Sequence, residues 1–158
     1  MIRIAVIGSR KPSSQSVADT LAWLDSFRSG HSSDEVSIIT GGALGMDTAA
    51  MHYAYDHHLK LKVFVPRNFH NEQLCCALKG KEGCEIIYTN LGYQQRNTLV
   101  IENADLVVSS DYGNGTIDSI EKALNRRLSV YILGRYIPSS HKKRELPHSE
   151  YITLLPSC

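Results

Sequence analysis

Ile38-Ile39-Thr40-Gly41-Gly42-Ala43-Leu44-Gly45-Met46-Asp47-Thr48-Ala49-Ala50 joins an apolar β-branched run to a glycine pair, a third glycine and a stretch of small helix formers beginning near Asp47. A buried strand that turns sharply into a helix has this pattern. Glycines at 41, 42 and 45 let the backbone turn and approach a ligand without Cβ clashes. The amides of the helix's first turn are then expected to face an anion, which the helix dipole also favours. Lys-Ser/Thr is missing, so the stretch is not a P-loop, and it is not a GxGxxG dinucleotide fingerprint. A glycine-rich connection without a ligand is the alternative reading.

Outward from this junction the chain repeats the same rhythm. Residues 2–7 form a short apolar strand ending at Gly8-Ser9-Arg10. Pro12 and serines 13, 14 and 16 open a helix striped by Val17, Leu21, Leu24 and Phe27. Strands are expected at 36–40, 61–65, 85–88, 105–109 and 130–133, and helices from near 47, over 74–78 and over 93–103. Gly113-Asn114-Gly115-Thr116 again places glycines between a strand and a helix, the latter striped by Ile117, Ile120 and Leu124. Strands alternating with helices imply an α/β fold with a parallel sheet and helices on both faces. Right-handed crossovers put every strand-to-helix turn along one edge of the sheet. The turns at 8–10, 41–47 and 113–116 are therefore expected to converge on a single crevice.

At 158 residues with a formal charge of +1, the chain suits one domain, residues 1–134, followed by an extension over 135–158 that packs on or flanks it. Charge alone selects neither a nucleic-acid nor a membrane partner. Cysteines at 75, 76, 84 and 158 have no zinc-ligand spacing. They read as free thiols in a reducing compartment. The first strand is too short for a signal peptide, and no run approaches the roughly 18 apolar residues of a membrane span. A cytoplasmic protein is expected. In the extension, the basic run His141 to Arg144 reads as a solvated loop, with nucleic-acid contact as the alternative, and Tyr151 to Leu155 as a candidate edge strand.

Gly8-Ser9-Arg10, Gly41 to Asp47 with Ala50 and Ala54, Arg96-Asn97, Ala104-Asp105 and Gly115-Thr116, in this order and spacing, resemble the SLOG superfamily. That group includes DNA-processing protein DprA (Smf), YpsA-like proteins and the Lonely-Guy phosphoribohydrolases. The resemblance runs from about residue 2 to 134 and implies a Rossmann-like fold whose crevice holds a nucleotide or nucleotide derivative. Family activities range from N-glycosidic cleavage of a nucleoside monophosphate, through DNA binding, to nucleotide sensing. Homodimers are common among the relatives, and the resemblance brings no metal and no cofactor.

Two departures separate this chain from its relatives. The phosphoribohydrolase motif PGGxGTxxE is broken here by Asn114, and its glutamate position is Ser119. Asp118 and Glu121 lie nearby, out of register. DprA-like chains carry a histidine four residues after the aspartate, where this chain has Met51.

The candidate site follows from these residues. Arg96 matches the catalytic arginine of the phosphoribohydrolases; it would hold phosphate or stabilise departing charge, with Asn97 beside it. Gly8, Ser9 and Arg10 would grip phosphate or ribose. Gly41, Gly42, Ala43, Gly45 and Met46 form the turn, and Asp47 would take ribose hydroxyls or serve as helix cap. Gly113, Gly115 and Thr116 would offer amides and a hydroxyl. Glu121 or Asp118 would be the acid or base of a hydrolase. Tyr93 would stack on a base or belong to the core. The competing readings are a nucleotide N-glycosidase, a non-catalytic sensor or sequestering protein, and a DprA-like single-strand binder.

Overall fold

All five residues of Val36–Thr40 are buried, as in a strand covered on both faces. In the computed structural model, which describes residues 1–110, 114–133, 146–147 and 149–155, this strand is β2. It is joined by β1 (Ile2–Ile7), β3 (Lys60–Val65), β4 (Cys84–Tyr88), β5 (Leu106–Ser110), β6 (Ser129–Leu133) and β7 (Ile152–Leu155). The strands form one seven-stranded sheet in the order β4-β3-β2-β1-β5-β6-β7. Every neighbouring pair is parallel. The fold is therefore the Rossmann-like α/β architecture that the alternating pattern implies, and the C-terminal stretch contributes its last edge strand.

The helices are α1 (Ser14–Arg28), α2 (Met46–Asp56), α3 (Glu72–Leu78), α4 (Tyr93–Glu102) and α5 (Asn114–Asn125). Side chains of a strand alternate between faces, and β1 divides its core accordingly. Ile4 and Val6 pack with Leu24 of α1, Met46, Ala50 and Ala54 of α2, and Cys75 of α3. Ala5 and Ile7 pack with Val100 and Ile101 of α4 and Ile117, Ile120 and Ala123 of α5. The predicted stripe of α1 is buried fully only at Leu24. Thr20 on that helix is buried as well, its hydroxyl 2.6 Å from Ser110 Oγ, while Ser110 donates to the Ser16 carbonyl at 2.9 Å. A hydroxyl pair thus fastens α1 to the end of β5.

Element boundaries differ from the sequence expectation where side chains intervene. Asp105 precedes β5 because its carboxylate is held by Arg3, at 2.8 Å from the amide, 3.1 Å from Nε and 2.9 Å from Nη2. Asn103 follows α4, its side-chain amide donating back to the Leu99 carbonyl at 2.8 Å. The basic run at 141–144 lies outside the described residues. Among the described residues no helix is long and apolar enough to cross a membrane.

The sheet has one topological switch. From β1 the chain builds outward through β2, β3 and β4, and α4 then carries it back to β5 on the other side of β1. Helix α1 leaves β1 toward one face and α5 follows β5 on the other, so a crevice opens between their turns. The β1 and β2 turns are locked together there. Gly45 has a φ of +85°, and a Cβ at that position would overlap the backbone of Ser9 and Arg10. Met46 N–H donates to the Ser9 carbonyl at 3.1 Å.

Gly45→Ala is therefore expected to lower stability by at least about 2 kcal/mol in urea denaturation, combining left-handed strain with a backbone clash. Gly80 has a similar φ of +84°, but a Cβ there would meet nothing within 4 Å, so Gly80→Ala should cost only about 1 kcal/mol. Equal losses for the two would contradict the locked turns. The Arg3 side chain beside Asp105 holds that carboxyl below its ordinary value. A depressed carboxylate contributes stability above its unfolded value of about 3.9 and loses it as the pH falls through the folded value. Because both side chains are about two-fifths exposed, Asp105→Asn should cost less than about 1 kcal/mol at neutral pH. The variant should also unfold less steeply with acid below about pH 4, as followed by urea midpoints across pH.

Candidate functional site

The crevice is a cavity of about 450 Å³, within the usual size range of small-molecule sites. Gly8, Ser9, Arg10 and Lys11 line it from the β1 turn, and Gly41, Ala43 and Asp47 from the β2 turn. Tyr93, Arg96 and Asn97 come from α4, and Gly115, Thr116 and Ser119 from α5. Parts of the chain separated by more than 100 positions thus share one wall.

Arg96 is buried although charged. Its Nη1–H donates to the Gly41 carbonyl, and its Nε–H donates to Asn97 Oδ1 at 3.1 Å. The guanidinium lies so close over Gly41 that a Cβ there would overlap it. Glycine is thus required at position 41 for close approach, a different reason from the positive φ at Gly45. Asn97, the next residue in the chain, fixes the plane of the fork. Burial lowers the Arg96 pKa, with Arg10 adding to the effect and Asp47 opposing it; an arginine still keeps its proton.

Asp47 is the counter-charge. Burial pushes its carboxyl up, while the positive charge of Arg96 and the Ala43 N–H, which donates to Oδ2 at 3.1 Å, pull it back. Part of the backbone that the sequence expects to face an anion is engaged within the protein, at the first amide of α2 and in the turn before it. Met46 N–H is used by Ser9, and Ala43 N–H by the Asp47 carboxylate. The protein's own groups already occupy part of the positive end of α2, because the turn needs those bonds to hold its shape.

The other sequence-derived candidates divide between wall and scaffold. Gly42 has a φ of +72° and faces Val63 and Cys75, behind the cavity. Gly45 packs on the β1 turn, and Met46 is wholly buried in the core. Ser9 lies on the wall, its hydroxyl accepting from Lys11 N–H at 2.9 Å. Arg10 is exposed, with its guanidinium 4.8 Å from the Phe69 ring centroid and 5.9 Å from that of Tyr93. Tyr93 itself is 42% exposed, so it belongs to the rim and not to the core. Gly113 lies outside the described residues.

Asp118 and Glu121 are half-buried on α5 and are not among the residues lining the cavity. Asp118 Oδ2 is 2.8 Å from Lys122 Nζ, one turn along the helix. The face of α5 that meets the cavity is set by Gly115, Thr116 and Ser119, and the intervening Asp118 points aside by helix geometry. Ser119 and Lys11 were not singled out as site residues in the sequence. Ser119 falls three residues after Thr116, a spacing that would have marked it as sharing that face. Phe69, which reaches Arg10, carries no sequence signal of its own.

Three solved structures share this fold at identities too low to show more than the fold. DNA processing protein A (DprA) from Streptococcus pneumoniae superposes with a TM-score of 0.69 at 19% identity, over 86% of this chain and 51% of that one. This chain therefore spans about half of the DprA chain. The molybdenum cofactor carrier protein of Chlamydomonas reinhardtii gives 0.63 at 19% identity, over 84% and 76%. The molybdenum cofactor binding protein of the phototrophic bacterium Rippkaea orientalis gives 0.61 at 20%, over 85% and 76%. No curated protein matches the sequence. The model of the SLOG cluster4 family matches residues 1–154, nearly the whole chain, and the protein belongs to that family.

Proposed function

We propose that this protein binds a nucleotide or nucleotide derivative in the crevice between β1 and β5. The observation that carries the reading is charge. Arg10, Lys11 and Arg96 line the cavity against one carboxylate, Asp47, among the described lining residues. A concave site with excess positive charge and a helix start at Gly115 and Thr116 suits a phosphate. Arg96 is held rigidly by Gly41 and Asn97, so little ordering is needed when an anion meets it. Asp47 would repel phosphate and accept hydrogen bonds from sugar hydroxyls, which suits a sugar seated beside the phosphate position.

Binding without cleavage is the better-supported form of this reading. Asp118 and Glu121, the residues best suited to acid–base work by sequence, stand away from the lining set. A bound small molecule also accords with the molybdenum cofactor proteins among the structural neighbours. The DprA likeness favours nucleic acid instead. A strand-binding site calls for an extended basic groove with successive stacking rings, whereas the observed site is a single cavity of about 450 Å³.

Titration calorimetry with nucleoside mono-, di- and triphosphates should find at least one that binds. The matching nucleoside should bind about 10- to 150-fold more weakly, since charge-assisted bonds to phosphate are worth about 1.5–3 kcal/mol. Nucleotide recovered after incubation should be intact; release of free base would establish the hydrolase instead. Tighter binding to single-stranded oligonucleotides, falling steeply with salt, would replace the reading altogether. Arg96→Met should abolish the preference for phosphate and cost about 2 kcal/mol of stability, because the Gly41 carbonyl is left unpaired. Arg96→Lys should fall between the two, keeping charge and losing the fork. Unchanged nucleotide affinity in Arg96→Met would overturn the role given to this side chain.

A further inference from the structure

Phe69 stands in the turn between β3 and α3 with 67% of its surface exposed. Its φ is +60°, a left-handed conformation unusual for a bulky side chain. The turn is fastened on either side. Arg67 N–H donates to the Leu91 carbonyl and Asn71 N–H to the Gly42 carbonyl, each at 2.8 Å. The Asn71 side-chain amide also donates to Thr48 Oγ1 at 3.0 Å. A large apolar ring is thus displayed to solvent by an anchored turn, next to the cavity.

The ring is turned toward one particular neighbour. Arg10, a cavity residue, places its guanidinium 4.8 Å from the Phe69 centroid and 5.9 Å from that of Tyr93. Three planar groups from three separate elements therefore gather on one rim: the β1 turn, the β3 turn and the start of α4. An aromatic ring and a guanidinium plane both offer a flat, weakly hydrated face on which a heterocyclic base can stack. Arg96, Thr116 and the α5 start line the same cavity as Arg10 and Tyr93, so a ligand with its phosphate at Arg96 or the α5 start has the rim within the same site for its other end.

We infer that Phe69, with Arg10 and Tyr93, forms a stacking platform for the planar heterocyclic base of the ligand and so selects for nucleotides over simple sugar phosphates. This inference rests on the nucleotide reading above and adds the base-recognising end of the site. Stacking is tolerant of base identity, because every base offers a π-face. The platform would therefore favour purines by area and leave finer discrimination to other contacts.

The test measures AMP, GMP, CMP, UMP and ribose 5-phosphate by titration calorimetry against wild type, Phe69→Ala and Phe69→Trp, with thermal unfolding of each variant to confirm the fold. Phe69→Ala should weaken the best purine nucleotide about tenfold and leave ribose 5-phosphate within twofold. Phe69→Trp should restore or tighten nucleotide binding. Equal nucleotide affinity in wild type and Phe69→Ala would overturn the platform, as would parallel loss of nucleotide and ribose 5-phosphate, which would mark Phe69 as scaffold. Wild type that binds ribose 5-phosphate as tightly as any nucleotide would also remove the base platform while leaving the phosphate site standing. Wild type that binds none of the five would overturn the platform, and failure of the di- and triphosphates as well would defeat the nucleotide reading.

Discussion

The buried guanidinium of Arg96, donating to the Gly41 carbonyl, is the contact on which the site depends. It ties α4, the element that carries the chain across the switch of the sheet, to the turn that follows β2. Without it the Gly41 carbonyl would be buried unpaired and the guanidinium would keep only Asn97 and the charge of Asp47, and an unpaired buried carbonyl is expensive. The bond exists only because position 41 has no side chain and because Asn97 holds the fork in plane. One glycine, one asparagine and one arginine thus convert a topological crevice into a wall of defined charge.

The same constraint explains how the glycine-rich stretch divides its work. Gly41 gives room to a side chain, Gly42 and Gly45 give backbone conformations with positive φ, and Gly45 lets two turns touch. Two amides of this stretch, those of Ala43 and Met46, are used to hold the arrangement. Positive charge on side chains takes their place, with Arg96 buried within the wall and Arg10 at the rim between two aromatic rings. Buried groups, Arg96 and Asp47, form the base of the site, and larger, more exposed groups, Phe69 and Tyr93, stand at its mouth.

Much of the fold was legible because it follows from short-range chemistry. β-branched runs ending at glycine or proline mark buried strands, and their alternation with helical stripes forces a parallel sheet with its turns on one edge. Val36–Thr40 illustrates this, since its five apolar or hydroxyl residues leave no polar face to expose. Boundaries at Asp105 and Asn103 were less legible, because each is set by a side chain bonding to a partner that the local pattern does not name. In the same way, Met46 and Gly42 belong to the glycine motif by sequence but point into the core.

The sequence by itself determined the α/β architecture, the family resemblance and the short set of turns from which a site could be made. Those depend on periodicity, on glycine and on the handedness of crossovers, all of which act locally. Only the tertiary structure decided which residues of those turns face the cavity: Ser119 in and Asp118 out on one helix, Gly41 under an arginine 55 positions away. It alone brought Phe69 to Arg10. Contacts between distant segments depend on the packing of whole elements, and a one-dimensional pattern carries no measure of that distance.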